Sequence, residues 1–199
     1  FASCEKPKGE PVRRFPFFRL EFCIVTTIKS RLPQTLTTRR LVLTAPTLEH
    51  VPAIAKLCNN KNIHQWMSRL PFPYAEADAR FFVETVVPSA EEACYGIMRE
   101  DEFMGVVGLH FAQGELPELG YWLGEPYWGH GYVTEAARAV VAAARAAGAS
   151  ALRSRALSTN ARSLNVLGKL GFLETGKGAE PIGPNAGMPA TFLRLDWDR

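Results

Sequence analysis

Residues 125–136 read EPYWGHGYVTEA, with Gly129 and Gly131 set immediately before a long alanine-rich run. The first turn of a helix offers backbone N–H groups with no intrahelical partner, together with a partial positive charge. Glycines just ahead of it let a bound group approach the backbone without meeting a Cβ. The amides of Gly129, Gly131, Tyr132, Val133 and Thr134 are therefore candidates to hold phosphate oxygens. His130, between the glycines, is within reach of the same anion. A plain tight turn would use the same glycines. Two other phosphate-binding patterns are excluded: no third glycine completes G-x-G-x-x-G, and no Gly-Lys-Ser/Thr follows.

Such amides act on a ligand only if the chain brings them to the end of a sheet. From Thr38 the pattern becomes regular. RRLVLTAP reads as a strand, and TLEHVPAIAKLCNN as a helix with Thr47 as N-cap and Val51, Ile54, Ala55 and Cys58 on one face. YAEADARFFVETVV is a second helix. ACYGIMRE and EFMGVVGLHF form an antiparallel pair turning at Glu100 and Asp101, and PELGYWLG is a further strand. GYVTEAARAVVAAARAAGA is the long helix, with Gly148 suited to its C-terminus. LRSRALS is a strand, NARSLNVLGKL a helix that Asn160 caps and Gly171 closes, and GFLET a strand. A loop rich in Gly and Pro precedes a last strand, TFLRLDW. The order predicts an α/β fold: a mixed, mostly antiparallel sheet of six to seven strands with helices on both faces. The strand at 118–123, the helix at 131–147 and the strand at 152–157 form a βαβ crossover, so those two strands are expected to be parallel. Ligands of open α/β sheets bind at the carboxyl ends of such strands, where the glycine turn sits.

The 199 residues suit one domain, expected over 35–199, preceded by a poorly ordered basic extension at 1–34 with a short strand near 21–28. A chain that opens on Phe1 rather than Met reads as a trimmed one. Residues 1–40 hold nine Lys and Arg against three acids, whereas the remainder holds fourteen against seventeen. A mildly acidic body argues against a nucleic-acid partner. Cys4, Cys23, Cys58 and Cys94 are far apart and form no metal-ligand spacing with His50, His64, His110 and His130, so no metal is expected. Isolated cysteines fit a reducing compartment, and no apolar run approaches the roughly 20 residues that cross a bilayer. The expectation is a cytoplasmic protein with no membrane partner.

ELGYWLGEPYWGHGYVTEA, followed about two dozen residues on by TNARSLNVLGKLGF, resembles the GNAT superfamily of acyl-CoA-dependent N-acyltransferases, most nearly its RimJ/RimL-type branch. The resemblance covers about residues 36–197. It implies that the glycine turn grips the pyrophosphate of acetyl-CoA, and that parallel strands splay so the pantetheine arm lies between them. Tyr121, Trp122 and Leu123 would then supply backbone to that arm, and Asn160 would touch its amides. One departure is Val133, where the superfamily usually has Gly or Ala. The implied reaction is direct transfer of an acetyl group to a primary amine, of a protein N-terminus or a small molecule. Glu118, on the same side of its strand as Gly120 and Trp122, is the expected base, with Glu115 and Glu102 as weaker alternatives. Ser163 is the expected acid for the departing thiolate.

The acceptor pocket is expected from NNKNIHQWMSRLPFPY and the loop at 175–190, with His64, Trp66 and Tyr74 shaping it. Arg162 or Lys169 would meet the 3′-phosphate. A homodimer is left open. The competing readings are an acyl-CoA-binding regulator without catalysis and a protein-interaction domain whose glycine turn holds nothing.

Overall fold

A computed structural model of the chain describes residues 28–197. The expected strand near 21–28 lies outside these residues apart from Ile28, which sits in a helical turn at 28–31 and is buried against the main core. Eight strands form a single sheet: β1 (Thr35–Thr37), β2 (Val42–Thr44), β3 (Glu92–Arg99), β4 (Glu102–His110), β5 (Glu118–Leu123), β6 (Ala151–Leu157), β7 (Leu173–Ala179) and β8 (Pro189–Asp196). Their spatial order is β1-β2-β3-β4-β5-β6-β8-β7. Every neighbouring pair is antiparallel except β5 and β6.

The count exceeds the six to seven expected. RRLVLTAP belongs to a short hairpin whose first strand, β1, pairs Leu36 with Leu43, too brief to show a period. GFLET extends to Ala179, into what reads as loop, as an edge strand with nearly every residue exposed. With no buried face it has no apolar alternation to betray it, and its ladder to β8 alone holds it.

Helix α4 (Tyr132–Ala146) covers one face of the sheet. Its buried side includes Ala136, Ala137, Val140 and Ala144, small residues that let the helix approach closely. Helices α1 (Val51–Cys58), α2 (Lys61–His64) and α3 (Glu76–Phe81), the last running into a π-helical turn at Phe82–Val86, cover the other face. There Val51, Ile54, Tyr74 and Val83 pack against Val106 and Trp122. Helix α5 (Ala161–Lys169) packs beside α4 and β6. Both α4 and α5 stop at a left-handed glycine: Gly148 at φ 98° and Gly171 at φ 92°. After each, an N–H returns to the last turn, Ala149 to Ala144 and Phe172 to Leu167.

Glu135 in the first turn of α4 does more than complement the dipole. Its carboxylate accepts from Thr38 Oγ1 at 2.7 Å, Arg40 N at 3.0 Å and Arg40 Nε at 2.7 Å, tying the β1–β2 turn to the start of α4. Burial pushes its carboxyl upward, and the bonds from Thr38 and Arg40 more than offset this, leaving it below its ordinary value of 4.5. The tie is therefore fully present above pH 4.5 and is lost as pH falls below it. Glu135→Gln is expected to flatten the loss of stability on acidification in that window, as read by thermal melts from pH 7 to pH 3.

Candidate active site

Strands β5 and β6 share one ladder pair, Glu118 with Arg153. Beside it Arg153 N donates to Pro117 O at 3.0 Å, and Ser154 Oγ to Leu119 O at 2.9 Å. Past that point the two strands diverge. Peptide groups alternate sides along a strand, so the groups of Tyr121 and Leu123, like that of Leu119, face β6, yet no strand pairs with them. Trp128 Nε1 donates to Leu123 O at 2.7 Å. The N–H groups of Tyr121 and Leu123 and the carbonyl of Tyr121 are left facing the gap.

The gap opens into a cleft of about 1650 Å³. That exceeds the roughly 300–1,000 Å³ of a site for one drug-sized ligand, so there is space for two substrates. The glycine turn forms its rim. Gly129 and Gly131 take φ values of 81° and 77°, which favour glycine. Nothing lies within 4 Å of where a Cβ on Gly129 would fall. Glu135 N is the first amide of α4 to find a helical partner, Gly131 O at 3.0 Å. The amides of Tyr132, Val133 and Thr134 precede it and have none within the helix. All three residues line the cleft; Val133 also packs against the core, and its peptide remains on the rim. The His130 side chain does not line the cleft: it is exposed and stacks on the Tyr132 ring at 5.6 Å. Arg162 lines it, with its guanidinium 5.0 Å from the Trp128 ring centre, and so does Lys169.

Asn160 caps α5 as expected, its Oδ1 accepting from Ser163 N at 3.1 Å. This places Ser163 Oγ 2.9 Å from the Tyr121 hydroxyl, a partner that reading Tyr121 only for its backbone misses. Burial pushes the Tyr121 phenol up to about 12, with the Ser163 hydrogen bond opposing, so both hydroxyls keep their protons at neutral pH. They form a proton-bearing pair on the lining of the cleft.

On the opposite face, the strand register sets side chains in a rung: Glu92 opposite His110, His110 opposite Glu118, and Glu118 opposite Arg153. Glu118 lines the cleft, with Arg155 Nη1 at 2.8 Å and Arg153 Nη2 at 3.0 Å. Arg155 also reaches the buried Glu180 at 3.1 Å, and Arg153 pairs with Glu115. Glu102 bonds the Tyr127 hydroxyl away from this rung. His110 Nδ1 lies 2.8 Å from Glu92, whose carboxylate also meets Arg69 at 3.1 Å. Sequence reading missed this rung: the turn at 100–101 alone would set Glu92 opposite Leu109, and an irregularity in the β3–β4 register between Ile97 and Met98 moves its partner to His110.

Of the residues expected to shape an acceptor pocket, Trp66 and Tyr74 line the cleft and His64 does not, packing on Phe72 at 5.1 Å. Tyr74 is mostly a core residue, 5% exposed. The two expected loops do meet: Asn185 Nδ2 donates to Gln65 O at 3.2 Å and Met67 O at 3.3 Å. Among the described residues, no group of three or more His, Cys, Asp and Glu is placed to hold a metal ion, and no helix is long and apolar enough to cross a membrane.

This sheet, opened at one parallel pair with a bare helix N-terminus on its rim, is the architecture of an acyl-CoA-dependent transferase. Residues 40–173 match the family described as the acetyltransferase (GNAT) domain, and the chain belongs to that family. It is an acetyl-CoA-dependent N-acetyltransferase with RimJ/RimL-like structural neighbours. No curated protein matches the sequence. Solved structures with the same fold include the microcin C7 self-immunity acetyltransferase MccE in complex with acetyl-CoA and AMP, at 19% identity and TM-score 0.74 over 84% of this chain and 99% of that one. RimJ of Mycobacterium smegmatis, in complex with a coenzyme A disulfide, matches at 17% identity and TM-score 0.73 over 82% and 88%. A Salmonella typhimurium acetyltransferase that modifies the N-terminal serine of ribosomal protein L7/L12 matches at 19% identity and TM-score 0.70 over 81% and 97%.

Alanine at position 131 would force a Cβ into the left-handed region, a cost of about 1–2 kcal/mol, with Arg40 Nη2 3.7 Å away. Gly131→Ala is expected to lower the melting temperature and weaken acetyl-CoA binding, measured by calorimetry, while a substitution at exposed Lys177 changes neither.

Proposed function

We propose that the protein moves an acetyl group from acetyl-CoA to a primary amine, of a protein N-terminus or a small molecule, by direct attack on the thioester. The observation that carries this is the single rung between β5 and β6, which leaves the backbone of Tyr121 and Leu123 open beside the bare amides of α4. In this reading the pyrophosphate rests on the amides from Gly129 to Thr134, with Arg162 and Lys169 beside it. The pantetheine arm takes the place of the missing ladder against Tyr121, Trp122 and Leu123, near Asn160. An N–H of that strand polarises the thioester carbonyl and stabilises the oxyanion formed on attack.

The nitrogen–carbon bond forms as the amine lone pair attacks, and the carbon–sulfur bond then breaks. The thiolate takes its proton from the Ser163–Tyr121 pair. Trp66 and Tyr74, within the segment 65–74 that Asn185 ties to the loop at 180–188, shape the acceptor end. Glu118 closes the same end; with guanidinium groups on its carboxylate, its part is to hold Arg153 and Arg155 along the wall. The neighbour that modifies a ribosomal-protein N-terminal serine supports an α-amine acceptor, which near pKa 7.7–8.0 is easier to deprotonate than a lysine near 10.4.

Thiol release from acetyl-CoA, measured against peptides, polyamines, amino acids and aminoglycosides, tests the reading. Amine-dependent release matched by acetylated product is expected; a protein that binds acetyl-CoA but acetylates nothing would be a regulator. Combining Ser163→Ala with Tyr121→Phe is expected to lower kcat on the order of 10²-fold with acetyl-CoA affinity retained. Full turnover in the double variant would show that the thiolate departs unaided.

A further inference from the structure

We infer that His110, oriented by Glu92, is the base that deprotonates the acceptor amine; this rests on the acetyl-transfer reading above. A carboxylate only accepts hydrogen bonds, so the 2.8 Å contact makes His110 Nδ1 the protonated nitrogen, and in the neutral ring the lone pair is then on Nε2. Among the described residues no other group bonds the ring, and the side chain lines the cleft. Glu92 is fixed in turn by Arg69 at 3.1 Å, so the imidazole is aimed by a carboxylate that is itself held.

Position supports the role. The next rung along the same face is Gly108 opposite Gly120, and beyond it Val106 opposite Trp122. No atom lies within 4 Å of a Cβ built on Gly120. The face thus carries a recess walled by His110 and Glu118 on one side and Trp122 on the other. Its floor is the strand whose Tyr121 backbone faces the gap. An amine in this recess approaches the thioester from the side opposite the Ser163–Tyr121 pair, which separates the proton acceptor from the proton donor.

Glu118, the base expected from sequence, is less suited, because Arg153 and Arg155 occupy its carboxylate. The charged groups facing His110 are Glu92 and Arg69 on one side and Glu118, backed by Arg153 and Arg155, on the other. The proton balance is complete: His110 Nε2 takes one proton from the acceptor ammonium and passes it to solvent. The second proton leaves the nitrogen as the tetrahedral intermediate collapses and replaces, through solvent, the one given to sulfur. His110 touches the reacting amine; Glu92 is a positioning residue.

The test uses the full chain with acetyl-CoA and a short peptide bearing a free N-terminal serine, alongside the best acceptor from the panel. His110→Ala is expected to lower kcat about 100-fold, leave acetyl-CoA affinity unchanged, and abolish the rise of kcat/KM with pH that deprotonation of the base produces. Added imidazole is expected to restore part of the rate. Glu92→Gln keeps an acceptor for Nδ1 but removes the charge, and is expected to displace that pH limb with a smaller loss of kcat. Retention of kcat within about 3-fold, far below the contribution of a general base, in both His110→Ala and His110→Gln would overturn the assignment while leaving acetyl transfer intact. Loss of acetyl-CoA binding in parallel with kcat would also overturn it, as a structural effect. A wild-type protein that binds acetyl-CoA and acetylates no amine would instead overturn the transfer reading and this assignment together.

Discussion

The parallel contact between β5 and β6 is one residue pair long, and the site is built on that brevity. A full ladder would satisfy the peptide groups of Tyr121 and Leu123 internally and close the sheet. Instead, Glu118 opposite Arg153 and the Ser154 bond to Leu119 O pin the strands at one end only. Unpaired backbone groups beside an apolar wall are costly unless a partner arrives. An extended ligand with its own amides can supply the bonds that β6 withholds. In the proposed reading, substrate binding completes a sheet that the chain leaves unfinished.

The same divergence separates the chemistry. The hydroxyl pair of Tyr121 and Ser163 sits on the α4 and α5 side, held by a helix cap and by burial of the phenol. The charged rung of Glu92, His110 and Glu118 sits on the α1–α3 side, placed by register across three strands. Odd and even residues of β5 face opposite sides, so the side chains of Tyr121 and Glu118 lie on different faces of the sheet though three positions apart. Arg153 and Arg155 are paired with Glu115, Glu118 and Glu180 along the wall, and the imidazole of His110 stands outside that set of ion pairs.

Much of this was legible in the order of residues because local physics demands it. Gly129 and Gly131 precede a helix whose first amides must go unpartnered, and both take positive φ. Asn160 ahead of an amphipathic run is a cap wherever it folds. The crossover from 118–123 through the long helix to 152–157 dictates a parallel neighbour. The edge strand β7 was only partly readable, since it buries neither face. The glutamate–histidine contact was not, because Glu92 and His110 are 18 residues apart and meet only through the hairpin register, while Arg69 reaches them from a loop with no periodic signal. Nothing in the sequence tells that Arg155 would occupy Glu118.

Amide hydrogen exchange with and without acetyl-CoA probes the unfinished ladder most directly. If the substrate's arm replaces β6, the amides of Tyr121 and Leu123 and those from Gly131 to Thr134 exchange more slowly together when acetyl-CoA is added, while the interior of α4 is unchanged. Equal exchange at Tyr121 and Leu123 in both states, with protection confined to other strands, would contradict the account.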